Sequence, residues 1–475
     1  MRKIICLCLV LTLCLCLCSC KSSDYKKAMS LYEAGEYGQA ITAFEALGDY
    51  EDSIQMIEKC NYGIAISLME SGQYEEAIVA FEKLGNYQDS TQKITACELA
   101  ILESKYTNAI ALMDAGNYAE AASAFEALGD FKDSLQLLTE AENAAGYVAA
   151  ETFLAEGKTA EAAIAFGKMA GYKDSRERSF ELWDQIAHRE TISAELAHTV
   201  GLLKDGTVVA VGDNKNGECY VSDWTDIVAV CAGNAQTYGL RSDGTVVFAG
   251  DVEPYDFRKY IGIDMDVRDW TDIVSISTRD GYDVFGLRID GTIVPHASDW
   301  DIVNEVLEWT DIVQVSASES KSLVAALRSD GTVVAVREDT QSDEYGQCNV
   351  SDWTNIVAIS TGEHFTVGLR SDGTVVAVGK NDSGQCNVDD WTDIVAINAG
   401  RYHTVGLRSD GTVVATGLNN EGQCNVDTWT DIVAINATGW NTVGYRSNGT
   451  VVASGSSFCC MPEIVKLGIA IKTPQ

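Results

Sequence analysis

Apolar positions in the first part of the chain recur at helical spacing. On either side of a glycine the apolar residues fall three and four positions apart, so each stretch predicts a helix, a tight turn and a second helix. The pattern returns after about 40 residues, and its glycines are Gly35, Gly72, Gly116 and Gly157. Such a period is typical of a solenoid of stacked helix pairs.

The first three copies share a small, a large, a glycine, an aromatic, an alanine and an aromatic position in the same order. In the first copy these are Ala28, Leu31, Gly35, Tyr37, Ala40 and Phe44. This order resembles the tetratricopeptide repeat, whose helix pairs line a concave groove that binds peptides or proteins. The resemblance implies four repeats between residues 21 and 188, which act either as a partner-binding groove or as a spacer.

An aromatic-x-Asp-Ser segment follows the second helix of each copy, where the tetratricopeptide family usually has a proline. The four segments begin at Tyr50, Tyr87, Phe131 and Tyr172. Asp accepts hydrogen bonds from the unpaired N–H groups of a starting helix. We therefore expect each Asp to cap the next helix.

Beyond Thr191 the pattern changes to short runs rich in Val, Ile and Thr, which predict strands. Asp-Gly-Thr or Asn-Gly-Thr joins pairs of runs, and such turns are strong hairpin signals. A third run follows a Trp-Thr-Asp or Trp-Thr-Asn step, as at Trp391. Radial stacking buries the faces of seven such sheets, so the pattern predicts a seven-bladed β-propeller. The seven turns begin at Asp205, Asp243, Asp290, Asp330, Asp372, Asp410 and Asn448.

Two further segments, Val378 to Gln385 and His403 to Gly411, contain a Gly-x-Asn-x-x-Gly-Gln turn and a His-Thr strand entry. They resemble the regulator-of-chromosome-condensation repeat and imply that the propeller covers residues 189–475. Whether the run at Thr191 or the run at Ile464 closes the ring stays open. Eukaryotic members of that family exchange nucleotide on the Ran GTPase and dock on chromatin. A bacterial secreted relative inhibits β-lactamases by covering their active site with one propeller face.

The first twenty residues contain six of the 15 cysteines. Arg2 and Lys3 precede an apolar run that ends in Leu17-Cys18-Ser19-Cys20. This resembles a bacterial lipoprotein signal over residues 1–20, and the resemblance implies that Cys20 becomes the lipid-modified residue. An ordinary secretory signal or an uncleaved anchor is the alternative. With a lipid anchor, the protein is expected to be exported and held at the bacterial cell membrane, facing outward.

The charge narrows the choice of partners. The chain has 34 Lys and Arg against 70 Asp and Glu, a net charge of −36, which disfavours nucleic acid as a partner.

One slot in four blades is occupied by a cysteine, namely Cys219, Cys348, Cys386 and Cys424. We interpret these residues, like Cys60 and Cys97, as small buried side chains. The adjacent Cys459 and Cys460 could form a strained disulfide. We expect no metal and no cofactor.

The histidines give no catalytic pattern. His198 and His403 share a slot at a strand entry, where a structural role is favoured, and we assign no catalytic residue.

The residues that start the middle strand of each blade vary between copies, whereas the turns barely change. Variable aromatics at one level of a ring would meet on one face, although they could instead tuck under loops. The candidate partner-binding residues are Tyr282, His364, Phe365, Tyr402, His403 and Trp440.

These features together predict an all-α tetratricopeptide-like solenoid followed by an all-β seven-bladed propeller. The favoured function is a non-enzymatic cell-surface lipoprotein that binds a protein partner on the cell surface or in the envelope. A glycan or cell-wall binding module is the alternative. A propeller enzyme such as a lyase is the third hypothesis, and it would need an acid and base cluster.

Overall fold

The helical part of the chain consists of antiparallel helices of alternating length. The structure, a computed structural model, describes residues 21–169, 171–186, 192–194, 198–233, 235–250, 266–279, 283–297, 299–318, 323–337, 345–448 and 450–456. Its first helices are α1 (21–33), α2 (Tyr37–Leu47), α3 (Ser53–Glu70), α4 (Tyr74–Leu84), α5 (Ser90–Asp114), α6 (Tyr118–Glu126), α7 (Ser134–Ala155), α8 (Thr159–Gly167) and α9 (Ser175–Trp183).

The short helices α2, α4, α6 and α8 each completely bury an alanine and the phenylalanine four residues after it. These pairs are Ala40 and Phe44, Ala77 and Phe81, Ala121 and Phe125, and Ala162 and Phe166. Each short helix follows a repeat glycine that adopts a left-handed conformation, with φ between 76° and 81°. A side chain at that φ is strained, which is why the repeat keeps glycine there. The helix-turn-helix pattern of the sequence is confirmed.

The expected capping role is wrong for three of the four aromatic-x-Asp-Ser segments. The side chains of Asp52, Asp89 and Asp174 make no capping hydrogen bond. The residue before each Asp has a φ near +50°, and the Asp itself is not in the extended conformation that side-chain capping uses. Each carboxylate instead accepts a hydrogen bond from a tyrosine hydroxyl 27 residues upstream. The segment therefore ties one long helix to the next.

The second part of the chain forms seven antiparallel three-stranded sheets, or blades, in sequence order. The strands are β1 (Ile192–Ala194), β2 (His198–Leu202), β3 (Val208–Gly212), β4 (Ile227–Ala232), β5 (Gln236–Arg241), β6 (Val246–Gly250), β7 (Ile273–Arg279), β8 (Asp283–Arg288), β9 (Ile293–His296), β10 (Ile312–Ala317), β11 (Val324–Arg328), β12 (Val333–Val336), β13 (Ile356–Thr361), β14 (Phe365–Arg370), β15 (Val375–Gly379), β16 (Ile394–Ala399), β17 (His403–Arg408), β18 (Val413–Gly417), β19 (Ile432–Thr438), β20 (Asn441–Arg446) and β21 (Val451–Gly455). A helix, α10 (Trp300–Leu307), precedes blade 4.

The blades form a seven-bladed propeller, as the sequence predicts. The first strands of consecutive blades contact one another, and β1 contacts β19, so the described N-terminal strand lies beside blade 7 in the ring. Polar side chains on the first strands join neighbouring blades. Ser360 Oγ accepts the backbone N–H of Ala399 at 2.9 Å, and Asn398 Oδ1 accepts that of Ala437 at 2.8 Å. The run at Ile464 lies outside the described residues.

The repeated tryptophans pack inside the propeller. The six residues of the Trp-Thr-Asp or Trp-Thr-Asn steps are at most 6% exposed. In blade 6 the ring of Trp391 lies against Gly406, where an added Cβ would be 2.7 Å from a ring carbon. The glycine of the Val-Gly-Leu-Arg strands is therefore needed for the tryptophan to pack against the sheet.

The Asp or Asn of each described Trp-Thr-Asp or Trp-Thr-Asn step is left-handed, with φ between 58° and 60°. This conformation favours Asp and Asn among residues with a side chain. In blade 6 the carbonyl of Asp393 accepts the N–H of Ser409, and the N–H of Ile394 reaches the carbonyl of Gly373 in blade 5. We call the end of the propeller that carries these steps and the Asp-Gly-Thr turns the turn face.

The chain divides into two compact units, Met1–Ala145 and Gly146–Gln475. The second unit therefore begins within α7 and contains the fourth helical repeat together with the strands. Tyr147 Oη donates to Asp174 Oδ1 at 2.7 Å, so the tyrosine and aspartate contact of the repeats recurs inside this unit. The fourth helical repeat and the strands thus belong to the same compact unit.

The helices α8 and α9 pack on the turn face of blades 1 to 3. Trp183 Nε1 donates to the carbonyl of Ser242 at 2.9 Å, and Gly167 lies so close that an added Cβ would be 2.2 Å from the same oxygen. Arg176 Nε contacts Asp226 Oδ1 at 2.7 Å, and Lys168 Nζ contacts Asp272 at 3.0 Å. Two cations therefore pair with two left-handed aspartates beside an apolar contact.

Candidate functional site

The candidate recognition residues lie at the end of the propeller opposite the turn face. In each antiparallel blade the first strand runs away from the turn face, and a short loop leads back into the middle strand. In blade 6 this register pairs Ala399 with Thr404 at one end and Ile394 with Arg408 at the other. We call the end that carries these loops the loop face. Its described residues in blades 5 to 7 include Glu363, His364, Arg401, Tyr402 and Trp440.

The structure separates the candidate residues into two groups. Phe365 and His403 are completely buried, so neither side chain reaches the surface. Their neighbours His364 and Tyr402 are half-buried, as is Trp440. Adjacent residues at a strand entry point to opposite sides, so only one residue of each pair can face outward. Alternation in the sequence could have shown this. Tyr282 lies outside the described residues.

The buried histidines join neighbouring blades. His403 Nε2 lies 2.9 Å from Thr442 Oγ1 in blade 7, and His198 Nε2 lies 2.7 Å from Thr237 Oγ1 in blade 2. Each threonine hydroxyl donates its own proton to a backbone carbonyl, so the histidine nitrogen is the donor. Burial lowers the pKa of His403 to about 4 and also lowers that of His198. Both rings are therefore neutral at pH 7.

Two aromatic contacts lie on the loop face. The rings of Tyr402 and Trp440, from blades 6 and 7, have centroids 5.5 Å apart, with planes inclined at 58°. The rings of Tyr345 and His364 lie 5.4 Å apart, and Lys380 Nζ lies 5.1 Å from the Tyr345 ring centre. Tyr345 and Lys380 were not among the predicted site residues, because they belong to the connections between blades. Packing across blades brings them to His364.

An ion pair lies between the two aromatic contacts. Arg401 Nε donates to Glu363 Oε2 at 2.7 Å, and this joins the loop of blade 6 to that of blade 5. Burial opposes ionisation of Glu363, but hydrogen bonds from Arg401 and Tyr402 outweigh it and hold the pKa of the carboxyl below its usual range. Burial and the contact with Glu363 raise the pKa of the Tyr402 hydroxyl. The ion pair therefore helps to orient Tyr402.

The repeated cysteines are half-buried thiols that contact the backbone. Cys386 Sγ donates to the carbonyl of Lys380 at 3.3 Å, and Cys424 Sγ donates to that of Leu418 at 3.4 Å. Burial raises the pKa of Cys386 to about 12 and that of Cys424 to about 11. These thiols are poor nucleophiles at neutral pH. The repeat-helix cysteines Cys60 and Cys97 are completely buried, which fits a packing role.

The other sequence-based sites lie outside the described residues. Cys20 and residues 1–20 belong to this group, as do Cys459 and Cys460. Within the described ranges, no three His, Cys, Asp or Glu side chains are placed to hold a metal ion. Over the same ranges, no helix is both long and apolar enough to cross a membrane.

Family comparisons assign both kinds of repeat. The tetratricopeptide repeat model matches residues 25–90, and the regulator of chromosome condensation (RCC1) repeat model matches residues 356–385 and 394–423. The chain thus contains segments that match the tetratricopeptide repeat and the RCC1 repeat, and these lie in the helical region and in blades 5 and 6 of the propeller. Repeats of both kinds generally mediate protein interactions, so the combination indicates a protein-interaction scaffold. No curated protein matches the sequence.

Several solved propellers are similar in structure. The CRINKLY WD40 ectodomain of the Arabidopsis thaliana receptor kinase ACR4 is 16% identical with a TM-score of 0.44, over 56% of this chain and 94% of that one. Saccharomyces cerevisiae Prp20p is 15% identical with a TM-score of 0.32, over 56% of this chain and 71% of that one. The computationally designed Ika8 protein is 17% identical with a TM-score of 0.32, over 56% and 84% of the two chains.

Proposed function

We propose that this protein is a non-enzymatic scaffold, exported and anchored to the bacterial membrane through Cys20, whose loop face binds a protein partner in the cell envelope. The two repeat types support the scaffold role, and the resemblance of residues 1–20 to a lipoprotein signal supports the anchor. The observation that carries the binding role is the contact between Tyr402 and Trp440. Half-buried aromatic side chains of this kind often supply most of the binding energy of protein interfaces.

The arrangement around these aromatics suits recognition better than chemistry. The ion pair between Glu363 and Arg401 keeps the carboxylate charged, so it holds no proton to donate at neutral pH. His403 is buried and neutral, and its ring bonds Thr442 in the next blade. The loop face therefore offers fixed aromatic rings and a fixed ion pair, which suit a protein surface of matching shape and charge.

The test is quantitative capture from the cell envelope by the purified full-length protein, with mass spectrometry to identify the bound protein. The Tyr402→Ala and Trp440→Ala double variant is expected to capture that partner at least about tenfold less well. Tyr220→Ala removes an aromatic that is 71% exposed and is the matched control, so it should leave capture unchanged. Equal capture by the wild type and the double variant would refute the proposal. In the same cells, Cys20→Ser should leave the membrane fraction.

A glycan is the alternative ligand. The Tyr402→Ala and Trp440→Ala double variant and the Tyr220→Ala control can also be tested on a glycan array. Saturable binding of the wild type to one glycan class, lost in the double variant but retained with Tyr220→Ala, would assign the loop face to a carbohydrate and replace the protein-binding proposal. Without such binding, the protein partner stands as the ligand.

A further inference from the structure

The contact of the fourth helical repeat with the propeller shows which features of the turn face bind a helix. Where α8 and α9 cover blade 2, Val228 is completely buried in one hydrophobic cluster with Ile164 and Trp183. Beside this contact, Arg176 and Lys168 pair with carboxylates of the Trp-Thr-Asp steps, as described above. The recognised unit is therefore one valine on a first strand, flanked by left-handed aspartates.

The same unit recurs, uncovered, in the later blades. The valines equivalent to Val228 are the second residues of the first strands of blades 4 to 7. They are exposed by 41% to 54%, and they are Val313, Val357, Val395 and Val433. The residues two positions earlier are also exposed and have the same left-handed conformation, and they are Asp311, Asn355, Asp393 and Asp431. The turn face thus repeats its shape around the ring, but the helices cover only part of it.

The charge of this surface selects a kind of partner. Within the turns of blades 5 and 6, hydrogen bonds from Thr374 and Thr412 lower the pKa values of Asp372 and Asp410, so both carboxylates are charged at pH 7. Arg370 and Arg408, which precede these turns, are half-buried and partly offset this charge, whereas both aspartates are exposed. The exposed valines and carboxylates are therefore complementary to apolar side chains flanked by Lys or Arg, which is what α8 and α9 present. A second copy of this chain carries a net charge of −36 and is repelled.

We propose that the turn face of blades 5 to 7 binds an amphipathic helix of a partner protein that carries Lys and Arg beside its apolar stripe. The partner helix lies over Val395 and Val433, as α8 and α9 lie over Val228, and its cations pair with Asp393 and Asp431. This site is at the opposite end of the propeller from Tyr402 and Trp440. The turn-face proposal can therefore be tested independently of the loop-face proposal.

The probe is a fluorescent synthetic peptide of about 18 residues, long enough for a helix of about 27 Å, with a leucine stripe and lysines on either side. Its binding to the full-length protein is measured by fluorescence anisotropy at physiological salt. At physiological salt the attraction between exposed charges is screened, so the carboxylates alone should hold the peptide only weakly. Binding of the peptide therefore needs contacts with the valines as well as with the carboxylates. We expect saturable binding that weakens about tenfold in the Val395→Ser and Val433→Ser double variant.

The matched control is the Val79→Ser and Val148→Ser double variant, which changes two valines of similar exposure on helices. It should bind the probe as the wild type does. A second peptide with serine in place of leucine, at the same charge, should bind at least about tenfold more weakly. The proposal is overturned if the leucine probe does not bind, if the two protein variants lose equal affinity, or if the serine peptide binds equally well. Because the substituted valines are exposed, unchanged thermal melting is expected for both variants.

Discussion

Gly167 offers a direct test of how the fourth repeat packs on the propeller. The last turn of α8 brings this residue against the peptide of Ser242, and an alanine Cβ would lie 2.2 Å from the carbonyl oxygen and 2.5 Å from the carbonyl carbon. Ordinary contact begins at 3.4 Å, so Gly167→Ala must separate the two backbones by about 1 Å. Neither backbone can avoid this by rotating a side chain.

The stability lost by separating the two backbones should exceed the stability gained by replacing glycine with alanine in a helix. Alanine normally stabilises a helix relative to glycine by about 0.5–1 kcal/mol. Overpacking of this kind costs about 1–3 kcal/mol, and the shift also weakens the hydrogen bond from Trp183 to Ser242, which is worth about 1 kcal/mol. We expect a net destabilisation of α8 and α9 of about 1–3 kcal/mol. Gly38→Ala is the matched control, because Gly38 lies in α2 with open space around its Cα.

Amide hydrogen exchange measured by mass spectrometry is the suitable assay, because it reports the opening of α8 and α9 separately from the rest of the chain. In Gly167→Ala these helices should exchange about 5- to 150-fold faster, since 1.4 kcal/mol corresponds to a factor of ten. In Gly38→Ala the exchange of α2 should be unchanged or slower. If the exchange of α8 and α9 in Gly167→Ala is equally unchanged or slower, the close packing argument is refuted.

Two further predictions concern polar contacts that hold the repeats together. Tyr62→Phe removes the hydroxyl that donates to Asp89, a contact that raises the pKa of Tyr62 to about 12. It should reduce the free energy of unfolding in urea by about 1 kcal/mol, whereas Tyr74→Phe should change it little; equal effects would contradict the role of the contact. The second prediction concerns His403. Because burial lowers its pKa from 6.5 to about 4, the unfolded chain binds a proton that the folded chain does not as the pH falls through this range. Stability is therefore lost between these values, on the order of 3 kcal/mol for this residue. His403→Gln should show a shallower loss in urea titrations from pH 7 to 4, and an identical slope would refute the assignment.

Much of the local structure follows from the sequence. The glycine period, the Asp-Gly-Thr turns and the Trp-Thr-Asp steps each require a particular backbone conformation, and this requirement can be read from residue type. Asp393 illustrates the point, because its position has a φ of 60° that favours Asp, Asn or Gly. Both repeat architectures and the number of blades were therefore predictable.

The candidate site was predictable only in part. Variation between the copies pointed to the strand entries, but it did not distinguish Tyr402, which is half-buried, from His403, which is completely buried. Tyr345 and Arg401 became candidate site residues only once the packing of the blades was known. The partners of these side chains lie in neighbouring blades or connections, about 20 to 40 residues away in the sequence, and local patterns carry no information on such pairs.

The sequence by itself determined the repeats, their turns and the acidic charge, because each depends on the chemistry of one residue or of close neighbours. Only the tertiary structure showed that Asp89 accepts a hydrogen bond from Tyr62, and that α8 and α9 cover blades 1 to 3 but leave Val395 exposed. These features depend on surfaces that meet through packing, and identical sequence units can be buried in one blade and exposed in another. Packing therefore decides which copies of a repeated motif are left for a partner.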